Sequence, residues 1–149
     1  MRPFDFDRSW HFDVAPTDFW DVLERTADYP RWWRWLREFD GGGLEEGTSA
    51  RCVVRGPFPY SLKFTVNVVE MERGRLVRTH VTGDLVGPAR LEVAPHGDGC
   101  TARLAWQLEL CSPGLRDLAR WGRPLMEWGH GWVVDNGVRQ FRRRALAFP

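Results

Sequence analysis

At 149 residues, 43% of them apolar, with a formal net charge of +1, the chain is sized for a single domain over residues 1–149 and lacks the basic field of a general nucleic-acid binder. No apolar run approaches the roughly 18 residues of a membrane span, and no low-complexity tract suggests disorder. The N-terminal MRPFDFDRSW is too acidic for a signal peptide, and Cys52, Cys100 and Cys111 lack metal-type spacing, so a reduced cytoplasmic protein without stable membrane insertion is expected.

In chain order, Phe4 to Val14 alternates with a period of two and predicts a first strand. Ala15-Pro16-Thr17 starts a short helix carrying Phe19, Trp20, Val22 and Leu23. Asp28-Tyr29-Pro30 starts a second, with Trp32, Trp35 and Leu36 at i, i+3 and i+4. Gly41-Gly42-Gly43 closes this helical pair. From Ser49 to Leu110 the period returns to two. Phe64, Val66, Leu91, Leu104, Trp106 and Leu108 share the apolar parity of successive strands, while His80 takes the wet parity. Five or six antiparallel strands with one buried face are predicted there.

Ser112-Pro113 then opens a helix that runs to Leu146, long enough at about 1.5 Å per residue to cross a small domain. Its apolar residues form two stripes. Leu118, Trp121, Leu125, Trp128 and Trp132 share one; Met126, His130, Val134, Gly137 and Phe141 belong to the other. A helix apolar on both sides is covered on both sides, so this one is read as the lid and inner wall of a pocket. Pro124 and its glycine neighbours predict a kink between Trp121 and Gly131. The order of parts specifies an α+β fold, with a curved antiparallel sheet wrapped round a long C-terminal helix and two short helices near the N-terminus.

Nine tryptophans are many for this length, and tryptophan concentrates in cores, pockets and interfaces. Arg123, Glu127 and His130 stand at i, i+4 and i+7, on or beside the stripe that holds Met126. Facing a cavity, they are the polar groups that meet a ligand, and His130 can donate or accept a proton. An ion pair and a carbonyl-bonded histidine account for the same residues without chemistry. No second acid or nucleophile accompanies them, so no catalytic residue is assigned. His11, His80, His96 and His130 are scattered, and no phosphate loop or nucleophile elbow occurs, so neither a metal nor a cofactor is expected.

The run GDLVGPARLEVAPHGDGCTARLAWQLEL followed by RPLMEWGHGWVVDNGVRQFRRRAL resembles the polyketide cyclase/dehydrase and lipid-transport family, part of the START-like (helix-grip) superfamily. FDVAPTDFWDVLERTADYPRWWRWL is similar to that family's first two helices, and RCVVRGPFPYSLKFTV to its second hairpin. Where relatives carry Asn-His after the Arg-Pro step, this chain has Gly129-His130. The resemblance implies an apolar cavity between sheet and helix. Candidate lining residues are Trp35, Phe64, Val66, Leu91, Trp106, Arg123, Met126, Glu127 and His130.

The expected function is binding of a hydrophobic small molecule, such as a lipid, polyketide or aromatic compound, by burial in that cavity. One alternative is a cyclase/aromatase- or dehydratase-like enzyme in which His130 or Arg123 handles protons or enolate charge. Another is a partner-binding module that forms a homodimer through the Trp121, Trp128 and Trp132 stripe.

Overall fold

Period-two alternation builds the expected ladder of antiparallel strands in the computed structural model, which describes residues 4–33, 35–41, 43–55, 61–111 and 134–142. The strands are β1 (Phe4–Phe12), β2 (Leu36–Gly41), β3 (Ser49–Val54), β4 (Leu62–Glu72), β5 (Leu76–Gly83), β6 (Leu85–His96) and β7 (Gly99–Leu110). They form one seven-stranded curved sheet in the order β1-β7-β6-β5-β4-β3-β2. The first two strands of the chain therefore sit at opposite edges.

Between those edges runs the helical segment. Helix α1 (Pro16–Leu23) starts with its proline in the first turn and buries Phe19, Trp20 and Val22 on one face. It ends where the Glu24 N–H donates to the Trp20 carbonyl. Helix α2 (Tyr29–Trp32) is a single turn, not the longer helix predicted through Trp35 and Leu36. Trp33 is already extended, with φ −121° and ψ 97°, and Leu36 opens β2. Trp32, Trp35 and Leu36 do fall at helical spacing, but only Trp32 belongs to α2; Leu36 already pairs with Val54, and a bulge between Leu36 and Glu38 follows it.

The ladder fixes which side chains share a face, because directly paired residues project to the same side. Val66 lies opposite Ala50 and Val81; Leu91 lies opposite Val77 and Leu104; Trp106 lies opposite Ala89 and Phe6. Phe64, Val66, Leu91, Leu104, Trp106 and Leu108 thus occupy one face, as their parity predicts. On that face Val68, Val77, Val81, Val93 and Ala102 are buried. The opposite face carries Arg51, Lys63, Arg78, His80 and Arg90, all exposed.

Residues 134–142 are helical and form α3. Val134 and Phe141 are buried, and Val138 packs against the same core. The helix start at Ser112, the kink near Pro124 and the Trp121, Trp128 and Trp132 stripe lie outside the described residues. No helix among the described residues is long and apolar enough to cross a membrane.

Candidate functional site

An aromatic wall closes one end of the inner face. Phe141 of α3 stands edge-on to Phe12 of β1, with ring centroids 5.9 Å apart, and to Trp32 of α2 at 5.7 Å. Trp33 lies between Phe141, at 6.2 Å and 23°, and Trp35, at 5.6 Å and 27°. Tyr29 joins the group through Trp33 at 5.1 Å and Phe39 at 4.9 Å, while its hydroxyl donates to the Leu23 carbonyl. These rings come from β1, α2, β2 and α3, so the wall exists only when distant parts of the chain meet.

The backbone of α3 accepts this wall through its one small residue. The Trp33 Nε1 donates to the Gly137 carbonyl at 2.8 Å. A Cβ at position 137 would lie 3.4 Å from Trp35 Cζ2, so glycine leaves room for both indoles to rest on the helix. On its other flank α3 meets β1, where Arg8 Nη1 lies 3.3 Å from Asp135 Oδ1. A groove of ≈ 340 Å³ runs along this seam, lined by Trp10, Asp135, Val138, Arg139 and Arg142.

The predicted lining residues divide into three groups. Trp35, Phe64, Val66 and Leu91 all pack against one core cluster. Trp106 shares their face but stands apart from that cluster, stacked on Phe6 at 4.4 Å and 18°. Phe6 in turn lies 6.1 Å from Trp10, which packs on the cluster. Arg123, Met126, Glu127 and His130 lie outside the described residues. Sequence reading missed Trp10 and Val138, which pack on the same cluster and line the groove; Trp10 shares the inward parity of Phe12, and that was the available signal.

Phe64, Val66, Leu91, Leu104 and Trp106 are inward-facing yet only half-buried. Inward apolar groups that keep accessible surface border space that protein atoms do not fill. The thiols of Cys52 and Cys100 and the Tyr29 hydroxyl are held in their neutral forms. Burial pushes the Cys52 thiol up to about 12 and raises the Cys100 thiol as well. Burial also raises the Tyr29 hydroxyl. Among the described residues, no cluster of histidine, cysteine or carboxylate side chains has the arrangement of a metal site.

A broader depression of ≈ 570 Å³ is lined by Phe6, Ala89 and Trp106 of the inner parity together with outward residues such as Arg78, His80 and Arg90. Its arginines are already engaged: Arg78 pairs with Glu70 at 3.0 Å and Arg90 with Glu92 at 3.4 Å. Ion pairs in open solvent contribute little energy, while Phe64, Val66, Leu91 and Leu104 extend the apolar surface beyond this depression along the inner face.

The family model described as polyketide cyclase / dehydrase and lipid transport matches residues 3–146. No curated protein sequence matches significantly. Among solved structures, the protein TTHA0849 from Thermus thermophilus is similar at 15% identity and a TM-score of 0.79, covering 96% of this chain and 97% of that one. A START superfamily protein from Mycobacterium smegmatis is similar at 13% identity and a TM-score of 0.72, with coverages of 97% and 99%. The di-domain ARO/CYC StfQ from the steffimycin biosynthetic pathway is similar at 11% identity and a TM-score of 0.71, with 98% of this chain covering 51% of that one. At these identities the likeness establishes a common START-like fold.

Proposed function

This chain belongs to the polyketide cyclase/dehydrase and lipid-transport family, and we propose that it binds a hydrophobic small molecule between its inner sheet face and its C-terminal helix. The observation that carries this reading is the accessible apolar surface of Phe64, Val66, Leu91, Leu104 and Trp106 on the side that faces inward. Covering such surface stabilises a complex by about 25 cal/mol per Å², which favours a lipid, polyketide or aromatic ligand over a polar one. In this reading the helix from Ser112 to Leu146 completes the enclosure. Its Arg123, Glu127 and His130 supply the polar end, Met126 adds apolar lining, and Trp35 closes the mouth.

The test uses a neutral apolar fluorophore, N-phenyl-1-naphthylamine. Its emission should rise on binding while tryptophan emission falls. Leu91→Trp should fill the space and weaken binding about tenfold while the melting transition is kept. Absence of binding to the parent protein, or indifference to Leu91→Trp, would sink this reading.

A second reading uses the same space for cyclase- or dehydratase-type chemistry. The family description and the ARO/CYC neighbour favour it. The described inward groups supply no ready base, since both buried thiols are held protonated and the Tyr29 hydroxyl is bonded to a carbonyl. The enzymatic reading therefore rests on Arg123 and His130. His130→Ala should abolish turnover at unchanged affinity if the histidine moves a proton, and should lower stability alone if it is structural.

A further inference from the structure

The groove along the seam of β1 and α3 carries a charge imbalance. Its floor is Trp10 and Val138, both packed against the core cluster. Its polar walls are Asp135, Arg139 and Arg142, which with Val138 form one stripe of α3 at i, i+3, i+4 and i+7. Asp135 stands one turn before Arg139 and would be its natural partner, yet it pairs across the seam with Arg8 at 3.3 Å. Arg139 and Arg142 bond instead to uncharged oxygens. Arg139 donates to the Asn136 amide oxygen, and Arg142 Nη2 donates to the His11 carbonyl at 2.7 Å. The Arg142 guanidinium is further held 4.8 Å over the Phe12 ring. Three arginines thus surround the groove against one carboxylate. Two of them stand three residues apart on one helix face, where like charges repel. On the sheet, by contrast, Arg73, Arg78, Arg90 and Arg103 each meet a carboxylate.

We propose that this groove is a second binding site, separate from the inner space, and that it takes an aromatic carboxylate. A guanidinium offers five N–H donors in a planar fork, so Arg139 and Arg142 keep donors beyond the contacts named. A carboxylate between them accepts from both forks and relieves their repulsion. The ring behind it lies on Trp10 and Val138, which supply an indole and an aliphatic surface. A volume of ≈ 340 Å³ suits a small ring system. A neutral compound leaves both guanidinium groups unmatched, and a cation meets like charge. The site stands on the flank of α3, since its stripe lies beside the Val134, Gly137 and Phe141 face that meets the core. It does not rest on the neutral-ligand reading above.

Equilibrium dialysis against the full chain near neutral pH compares 2-naphthoate with 2-naphthalenemethanol, which keeps the rings and lacks the charge. The parent protein should hold the acid about fivefold more tightly. Arg139→Gln and Arg142→Gln should each cut that preference to about twofold or less. Arg139→Gln decides the matter alone if Arg142→Gln does not fold, because the Arg139 bond stays within its own helix. Arg37→Gln, on β2 at the opposite edge of the sheet, removes the same charge and should leave the preference intact. Leu91→Trp on the inner face should leave it intact as well. No preference in the parent, or one that survives Arg139→Gln, overturns the site. So does a preference lost with Arg37→Gln, which marks a general charge effect, or with Leu91→Trp, which puts the anion in the inner space. Binding of N-phenyl-1-naphthylamine is read separately, so either site can fail without the other.

Discussion

Trp33 and Gly137 are 104 residues apart in sequence and are joined by a 2.8 Å hydrogen bond from indole nitrogen to main-chain carbonyl. The bond fixes α3 against the junction of α2 and β2, and everything packed on that junction inherits its position. The acceptor is the main-chain carbonyl, so what position 137 must meet with its side chain is a limit on volume set by the two indoles.

Gly137→Ala is expected to be tolerated or stabilising by about 0.5–1 kcal/mol. The new methyl would meet Trp35 Cζ2 at 3.4 Å and Trp33 Nε1 at 3.8 Å, ordinary contact distances, while a glycine inside a helix is removed. Gly137→Leu should instead cost about 1–3 kcal/mol by pushing the stacked indoles away. Thermal melts of the two variants should therefore move in opposite directions.

Gly87→Ala is expected to be far more damaging. Gly87 has φ +149°, and a Cβ there would lie 1.9 Å from the Gln107 carbonyl oxygen in the neighbouring strand. Neither backbone can yield without opening the ladder, so a loss above about 3 kcal/mol is expected. Gly74 is the control. It also has a positive φ, +83°, but nothing lies within 4 Å of its absent Cβ. Gly74→Ala should cost only about 1–2 kcal/mol, the strain of the left-handed backbone. Denaturant titration that ranked Gly74→Ala as the worse variant would refute the steric assignment.

Cys52 ties stability to alkaline pH. Burial raises its thiol from an ordinary 9.0 to about 12 in the folded chain. Its contribution is fully present below pH 9, where neither state ionises, and is lost progressively as pH rises toward 12 because the unfolded chain releases the proton first. Stability should thus decline between those limits, and Cys52→Ala should flatten part of the slope. The same burial should keep Cys52 unreactive toward Ellman's reagent at about pH 8 until the protein unfolds. Rapid labelling of the native thiol would contradict its enclosure.

Strand parity was legible because a period of two survives wherever the ladder is regular. It put Phe64, Val66 and Leu91 on the face the structure gives them. It also put Trp106 there, but parity names a face and not a neighbour, and Trp106 proved to stack on Phe6, away from the core cluster. The strand Leu36–Gly41 was hidden because Trp32, Trp35 and Leu36 fall at helical spacing, although the helix stops at Trp32 and Leu36 opens the strand. The inner stripe of α3, with Val134, Gly137 and Phe141, followed from helical geometry. The bond from Trp33 to the Gly137 carbonyl could not be foreseen, because it joins parts of the chain 104 residues apart.

The order of the sheet has a consequence for how the chain is made. Among the described residues β1 pairs with β7 alone, and Phe4 meets Leu108 across 104 residues. At typical synthesis rates of about 5–20 residues per second, β1 leaves the ribosome roughly 5–20 s before its partner exists. During that interval it is an apolar ribbon with two open edges, a template for wrong pairing. The carboxylates at Asp5 and Asp7 put like charge on that ribbon, and they repel a second copy of it until Arg103 arrives on β7 to pair with Asp7 at 2.8 Å. The same residues that seal the finished sheet thus guard the nascent one.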